Sequence, residues 1–185
     1  FKKYDVYPDM AMFGKTLGNG YAITAVVGKR EVMESAQSTF ISSTFWTERI
    51  GPSAALKTLE VMERLNSWDI ITEIGKKMHK GWLDVANQNN IGISISGMPA
   101  MGSYSFNSIS SLKYKTFVTQ QMLKVGILAS TNFYPCISHN DNHLEIYLNH
   151  LNDIYKVIDK CEKGLIKIDD LLEGPVCHSG FERLN

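Results

Sequence analysis

Apolar and polar positions divide the chain into helical and extended segments. Apolar residues recur at the three- to four-residue spacing of an amphipathic helix over 53–66, and again over 68–88. Asn66 and Ser67 interrupt the pattern, and a serine in that place can cap the second helix. A third amphipathic helix is predicted over 141–160. The middle of the chain is therefore a pair of consecutive helices.

Shorter segments follow the two-residue period of strands. Strands are predicted at 10–13, 21–28, 91–96, 101–106, 127–130 and 132–137, and shorter helices at 30–37 and 114–125. A turn at Gly97-Met98-Pro99 would join the strands at 91–96 and 101–106. This mixture places the chain in the α/β class.

Lys15 is the residue with the clearest chemical potential. It follows the apolar run 10–13, which is predicted to be a buried strand, and precedes the glycine-broken loop Gly18-Asn19-Gly20. A lysine that loses hydration beside apolar residues has a lowered pKa, and its neutral amine can form a Schiff base with an aldehyde. The glycines would let a flat cofactor ring approach the backbone. The alternative is a surface lysine that follows a strand without a chemical role.

Two familiar glycine motifs do not fit this loop. A phosphate-binding P-loop needs a glycine five positions before the Gly14-Lys15-Thr16 triplet, and Asp9 stands there. The dinucleotide fingerprint needs a third glycine after Gly18-Asn19-Gly20, and Ile23 takes its place. Neither nucleotide-binding motif is therefore present.

A family resemblance adds to the argument from Lys15. The segment PDMAMFGKTLGNGYAITAVVGKREVM, residues 8–33, resembles the lysine region of the class III, fold type I, pyridoxal phosphate (PLP) enzymes. It is most similar to the glutamate-1-semialdehyde aminomutase and aminotransferase group. The resemblance implies that Lys15 binds PLP as a Schiff base and that PLP is the cofactor.

A second block resembles the same family. In residues 43–60 a threonine, four residues and a proline precede an alanine-containing helix, and spacing from Pro52 selects Thr47. Thr44 imitates the motif three residues earlier, and Arg49 and Ile50 depart from the family pattern. The resemblance implies that Thr47 binds the cofactor phosphate across a homodimer interface. The alternative for Thr47 is a polar loop residue near a helix start.

A third block, residues 117–129, resembles the helix and turn that lead into the last strands of the family's small domain. The resemblance thus implies the end of a large PLP-binding domain with its connecting helix over 1–66. It implies a helical connector and small C-terminal domain over 67–185. Only the second half of a family member is covered, so a non-catalytic fragment remains an alternative of a different class.

The implied reaction is amino transfer from a small-molecule donor to an aldehyde or keto acceptor. Aminomutases of the group have a glycine triplet after the lysine and an acidic residue in a late Phe-Glu-Ala segment. This chain has Leu17-Gly18-Asn19-Gly20 and Phe133-Tyr134-Pro135-Cys136 instead. These departures favour an aminotransferase, with glutamate-1-semialdehyde 2,1-aminomutase as the alternative.

The composition of the chain argues against several classes of binding partner. Nineteen basic and 19 acidic residues give zero net charge, so no electrostatic footprint for nucleic acid or an anionic membrane is present. No apolar run has the length of a membrane span. Three cysteines without metal-type spacing are typical of free thiols in the cytoplasm. The three histidines His139, His143 and His150 lack the spacing of a zinc site, so we expect no metal.

Overall fold

The computed structural model describes residue 1 and residues 4–180. The chain divides into two compact units, Phe1–Ser67 and Trp68–Asn185. We call them unit 1 and unit 2. The small domain predicted from the sequence extends to residue 185, and its residues 181–185 lie outside the described part. Across the described residues, no helix is both long and apolar enough to span a bilayer.

Unit 1 consists of a β-hairpin followed by two helices. The elements are β1 (Met10–Phe13), β2 (Ala25–Gly28), α1 (Arg30–Met33) and α2 (Ile50–Leu65). The strands pair antiparallel, with Met10 opposite Gly28 and Phe13 opposite Ala25. The helix predicted over 30–37 is α1 for four residues and then tightens into a 3-10 helix, Glu34–Ser38.

Two predictions for the hairpin need correction. The strand at 10–13 is present, but the prediction that it is buried is wrong, since Met12 is 78% exposed. The sheet to which β1 belongs has only the strands β1 and β2 among the described residues, and it leaves both Met10 and Met12 exposed. The strand predicted at 21–28 is limited to its last four residues. The Tyr21 amide bonds back to the Gly18 carbonyl, so the chain is still turning there.

Unit 2 combines a three-stranded antiparallel sheet with long helices. The elements are α3 (Ser67–Gln88), which begins at the boundary residue, β3 (Ile93–Met98), β4 (Met101–Phe106), α4 (Ser111–Lys124), β5 (Asn132–Phe133) and α5 (Asp141–Glu162). The strand order is β3-β4-β5. The predicted break before α3 is confirmed, because Asn66 ends α2 in the left-handed conformation with φ 50°.

Other boundaries in unit 2 differ from the prediction. The hairpin turn lies at Pro99–Ala100 rather than at 97–99, because β3 runs two residues further and pairs Met98 with Met101. The strand predicted over 127–130 is absent, since the Ile127 amide instead bonds to the Met122 carbonyl at the end of α4. The strand predicted over 132–137 contains only the two residues of β5.

The core of unit 2 lies where α3 and α5 meet the sheet. Trp82 of α3 and Leu151 and Tyr155 of α5 have no exposed side-chain surface, and the Trp82 indole N–H donates to the Tyr147 hydroxyl at 3.1 Å. The apolar face predicted for the last helix is confirmed. Its buried members are Leu144, Tyr147, Leu151, Ile154, Tyr155 and Ile158. Burial of such side chains stabilises the fold by about 25 cal/mol for each Å² removed from water.

Candidate active site

Lys15 is exposed and lies near the start of the connection 14–24 that joins the two strands of the hairpin. It is the first residue of a 3-10 helix, Lys15–Leu17, and its backbone has φ 48°. A positive φ is unfavourable for a residue with a Cβ, and such strain concentrates at functional sites. Three backbone bonds close the loop: Leu17 N to Gly14 O at 3.1 Å, Asn19 N to Thr16 O at 3.2 Å and Tyr21 N to Gly18 O at 3.1 Å.

Gly18 allows the loop to fold back on itself. A Cβ at this position would lie 2.1 Å from the Tyr21 carbonyl oxygen and 2.8 Å from the Ile23 side chain, so no other residue fits without a backbone shift. Gly20, with φ 106°, has a conformation that residues with side chains rarely adopt. The glycines that follow Lys15 therefore determine the path of the loop.

The open end of the same hairpin is held by Asp9 and Lys29. The Lys29 Nζ lies 2.6 Å from an Asp9 carboxylate oxygen, and the Lys29 amide donates to the Asp9 carbonyl at 2.9 Å. Both side chains are exposed, so the ion pair contributes at most about 1 kcal/mol. It adds one weak side-chain contact to the backbone bond between the two strands that carry the Lys15 loop.

Lys15 lines a depression of about 720 Å³ that is formed entirely within unit 1. One side is the lysine loop with the residues up to β2, and the other is the segment that leads into α2. The lining residues are Lys15, Gly20, Tyr21, Ala22, Ile23, Thr24, Ser43, Phe45, Trp46, Glu48 and Pro52. The structure thus brings the lysine block and the threonine block of the sequence to one place.

Thr47 does not line this depression, although its neighbours Trp46 and Glu48 do. It lies exposed at the end of the turn 44–47. Thr44, which imitates the same motif, begins that turn and is also exposed. The structure therefore places Thr47 beside the depression, with its side chain available outside it.

Glu48 has a role that the sequence analysis missed. Its carboxylate accepts hydrogen bonds from the first two amides of α2, Ile50 N at 2.7 Å and Gly51 N at 3.3 Å. An acidic residue just before a helix that has proline in its first turn is the signal that could have found it. Gly51 packs against the lysine block, since a Cβ there would lie 2.6 Å from the Ala22 carbonyl oxygen.

The histidines of unit 2 have structural contacts. The His139 ring nitrogen Nδ1 accepts from the Cys136 amide at 3.0 Å, and His143 forms a capping box with Asn140 at the start of α5. Within residues 4–180, no group of three His, Cys, Asp or Glu side chains is arranged to hold a metal ion. The cysteines Cys136, Cys161 and Cys177 are free thiols.

Comparison with known proteins assigns the family. The sequence model of the class-III aminotransferases matches residues 1–155, and the chain belongs to this family. A 3-aminobutyryl-CoA aminotransferase from Cloacimonas acidaminovorans (strain Evry) is 33% identical over 149 residues, which are 77% of this chain and 36% of that protein. A glutamate-1-semialdehyde 2,1-aminomutase from Methanosphaera stadtmanae is 28% identical over 163 residues, 79% of this chain and 38% of that protein.

Solved structures confirm the predicted fold type I α/β architecture. The PLP internal aldimine form of the Sphingopyxis sp. MTA144 FumI protein superposes with a TM-score of 0.81 at 18% identity, over 92% of this chain and 42% of that one. An omega-transaminase from Sphaerobacter thermophilus gives 0.75 at 15% identity, over 84% and 40%. PLP is the cofactor of this family. The chain spans about two fifths of the length of these relatives.

Proposed function

We propose that the natural protein is a PLP-dependent aminotransferase in which Lys15 is the catalytic lysine. The observation that carries the proposal is the strained, glycine-closed turn that holds Lys15 at a depression lined by both family blocks. Membership in the class-III family supports it. The relatives that bear an aminotransferase or aminomutase name support the same type of chemistry.

The donor set of unit 1 fits PLP. An amine to condense with its aldehyde is present in Lys15, a hydroxyl for its phosphate in Thr47, and aromatic side chains line the depression in Tyr21 and Trp46. When bound, PLP supplies an electron-withdrawing ring that stabilises negative charge on the substrate carbon. The remaining steps belong to the chain.

Lys15 has two roles in this proposal. Its amine is the group that would hold the cofactor covalently. The same amine, when free, would act as general base and then general acid and move the proton of the substrate carbon. The 3-10 turn Lys15–Leu17 and the glycines after it limit where the backbone of Lys15 can lie, which suits both roles.

Thr47 is proposed to donate to the cofactor phosphate in the site of a second subunit. Its exposure and its absence from the lining of its own depression are compatible with such a contact. The protein would then be a homodimer with shared active sites, acting on a small-molecule amino donor and an aldehyde or keto acceptor. The three free thiols favour the cytoplasm as its compartment.

We also propose domain limits for this enzyme. Residues 1–66 form the end of the large PLP-binding domain with its connecting helix, and residues 67–185 form the helical connector and small domain. The left-handed Asn66 between α2 and α3 supports a boundary there.

Borohydride reduction of the natively purified protein tests the proposal. A phosphopyridoxyl group on the Lys15 peptide is expected, and Lys15→Ala should abolish both the adduct and turnover. Lys57→Ala, an exposed lysine of α2 paired with Glu60, is the matched control and should retain both. An adduct on another lysine, or substantial transamination by Lys15→Ala, contradicts the assignment. The intact mass of the same sample tests the alternative of a non-catalytic fragment.

An experiment with an isotopically labelled amino donor distinguishes the aminotransferase from the aminomutase alternative. An aminotransferase moves ¹⁵N from a donor amine to a different acceptor molecule. An aminomutase instead converts glutamate 1-semialdehyde with no second substrate. Because relatives with both names match this chain, the labelled experiment is needed to decide between them. We expect intermolecular transfer.

A further inference from the structure

We infer that Glu48 is a positioning residue, whose carboxylate occupies the N-terminus of α2 and thereby fixes the Thr47 turn for phosphate binding. The inference rests on the proposed function. It concerns a residue next to Thr47 in sequence, at the junction between the turn and the helix.

The first step is to identify which backbone amides at the start of α2 lack an intrahelical acceptor. A helix N-terminus exposes amides that lack intrahelical acceptors, and these amides commonly bind anions such as phosphate. The first intrahelical bond of α2 runs from Ser53 N to Arg49 O at 3.0 Å. The amides of Ile50 and Gly51 precede it, and Pro52 has no N–H.

The second step is that the Glu48 carboxylate accepts hydrogen bonds from both of these amides. Its two carboxylate oxygens accept from Ile50 N at 2.7 Å and from Gly51 N at 3.3 Å. A carboxylate there also interacts favourably with the positive end of the helix dipole. The place where a phosphate would bind an uncapped helix is therefore already filled by an internal anion.

The third step links Glu48 to Thr47 and to the lysine block. The Glu48 amide donates to the Phe45 carbonyl at 3.1 Å, which closes the turn that carries Thr47. Gly51 packs within 2.6 Å, measured from an added Cβ, of the Ala22 carbonyl oxygen. Glu48 thus ties the end of the Thr47 turn to a helix start that is fixed against the Lys15 loop.

Two consequences follow for the cofactor phosphate. Phosphate binding by this segment falls on Thr47 and its turn, and not on the N-terminus of α2. Removing the Glu48 carboxylate should loosen the turn and weaken binding of the phosphate group. If phosphate instead displaced Glu48 from the helix, removing the negative charge would strengthen binding. The two alternatives therefore predict opposite changes in the affinity for phosphate when the Glu48 carboxylate is removed.

The test compares Glu48→Ala and Glu48→Gln with the wild type, all at natural full length. The probes are PLP and pyridoxal, which lacks the phosphate. Glu48→Ala should raise the Kd of PLP by about five- to tenfold, the usual scale for loss of a helix cap, and that of pyridoxal by less than about twofold. Glu48→Gln, which keeps one acceptor oxygen but not the charge, should show a smaller rise. Glu63→Ala, an exposed acid in the last turns of α2, is the control and should change neither Kd.

A tighter Kd for PLP in Glu48→Ala would overturn the inference, as would equal weakening of PLP and pyridoxal. Hydrogen exchange gives an independent readout, since the Ile50 and Gly51 amides should lose protection in Glu48→Ala and keep most of it in Glu48→Gln. Unchanged exchange at both amides also overturns the inference. If the wild type forms no adduct with PLP, the proposed function fails, and the exchange rates alone still decide whether Glu48 caps α2.

Discussion

The two units of this chain differ in how much apolar surface they bury. Unit 2 contains a continuous buried core in which Trp82, Leu151 and Tyr155 have no exposed surface. In unit 1, Ala55 is the one buried apolar side chain apart from glycine among the described residues. Unit 1 nevertheless carries Lys15, Thr47 and Glu48. The residues proposed for chemistry thus lie where apolar burial contributes least.

The difference in packing is accompanied by a difference in how backbone is fixed. Unit 1 relies on turns, on glycines at close contacts and on the Glu48 cap. Unit 2 relies on apolar side chains between helices and a sheet. Substitutions in unit 2 should therefore mainly change the free energy of unfolding, whereas those in unit 1 should mainly change the geometry around Lys15.

The largest expected contrast is between two tryptophans. Trp82→Ala removes a fully buried ring and should lower the free energy of unfolding by about 3–5 kcal/mol. Trp46→Ala removes a ring that is 70% exposed and should change it by less than about 0.5 kcal/mol. Urea unfolding followed by tryptophan fluorescence and circular dichroism measures both. Equal losses in the two variants would show that unit 1 is as tightly packed as unit 2.

A smaller loss of stability is expected at Gly75, which lies close to the backbone of Pro99. A Cβ at Gly75 of α3 would lie 1.9 Å from the Pro99 carbonyl oxygen, so Gly75→Ala should destabilise by about 1–3 kcal/mol despite the higher helix propensity of alanine. Gly174→Ala, with no neighbour within 4 Å, is the matched control for thermal unfolding. Retention of wild-type stability by Gly75→Ala would contradict the close contact.

The equivalent change in unit 1 should act on the site. Gly51→Ala places its Cβ 2.6 Å from the Ala22 carbonyl oxygen, so the start of α2 must move away from the lysine loop. We expect a loss of about tenfold or less in kcat/KM for amino transfer, equivalent to roughly 1.4 kcal/mol or less. Global unfolding should change less than in Gly75→Ala. Unchanged kinetics would indicate that contact between α2 and the loop does not position Lys15.

The polar contact within the unit 2 core should give a smaller loss of stability than Gly75→Ala does. Tyr147→Phe removes the oxygen that accepts from the Trp82 indole N–H at 3.1 Å, leaving a buried donor without that partner. The expected cost is about 1–2 kcal/mol, within the range for an unsatisfied buried group. Burial raises the pKa of Tyr147 to about 12, so its hydroxyl is protonated at neutral pH. Equilibrium unfolding of the variant measures the loss, and a neutral outcome would mean that the indole finds another acceptor.

The same contrast explains what the sequence could predict. Unit 2 follows periodic burial, so the apolar face of α5 and the strand at 101–106 were predictable from spacing alone. Lys15 was singled out by its place between an apolar run and a glycine-broken loop, and Thr47 by family resemblance, and the roles of both stay predictions. Burial of Met12 was predicted wrongly, because an apolar run reports a preference and not the presence of a covering layer.

The capping role of Glu48 and the exact ends of the strands could not be predicted from the sequence, and the reason is the same for both. The two bonds from the Glu48 carboxylate depend on the path of one turn, and no apolar periodicity encodes that path. Similarly, the hairpin turn moved to Pro99–Ala100 because pairing across β3 and β4 continues to Met98 and Met101. Tertiary pairing, and not local propensity, sets such limits.

The smallest expected effect is a pH dependence that His79 gives to unit 2. Its ring stacks on Trp82 with centroids 5.6 Å apart, and its Nε2 atom is buried against Gly102 of β4 without a hydrogen-bond partner. Burial lowers the pKa of His79, because desolvation disfavours the charged imidazolium.

The unfolded chain therefore binds a proton at His79 more readily than the folded chain does. Stability is then fully present above the unfolded pKa of about 6.5 and falls as the pH drops below it, by less than about 1.4 kcal/mol per pH unit. His79→Gln should remove this part of the slope when urea unfolding is measured between about pH 5 and 7.5. An unchanged slope in that variant would assign the pH dependence of stability to other groups and not to His79.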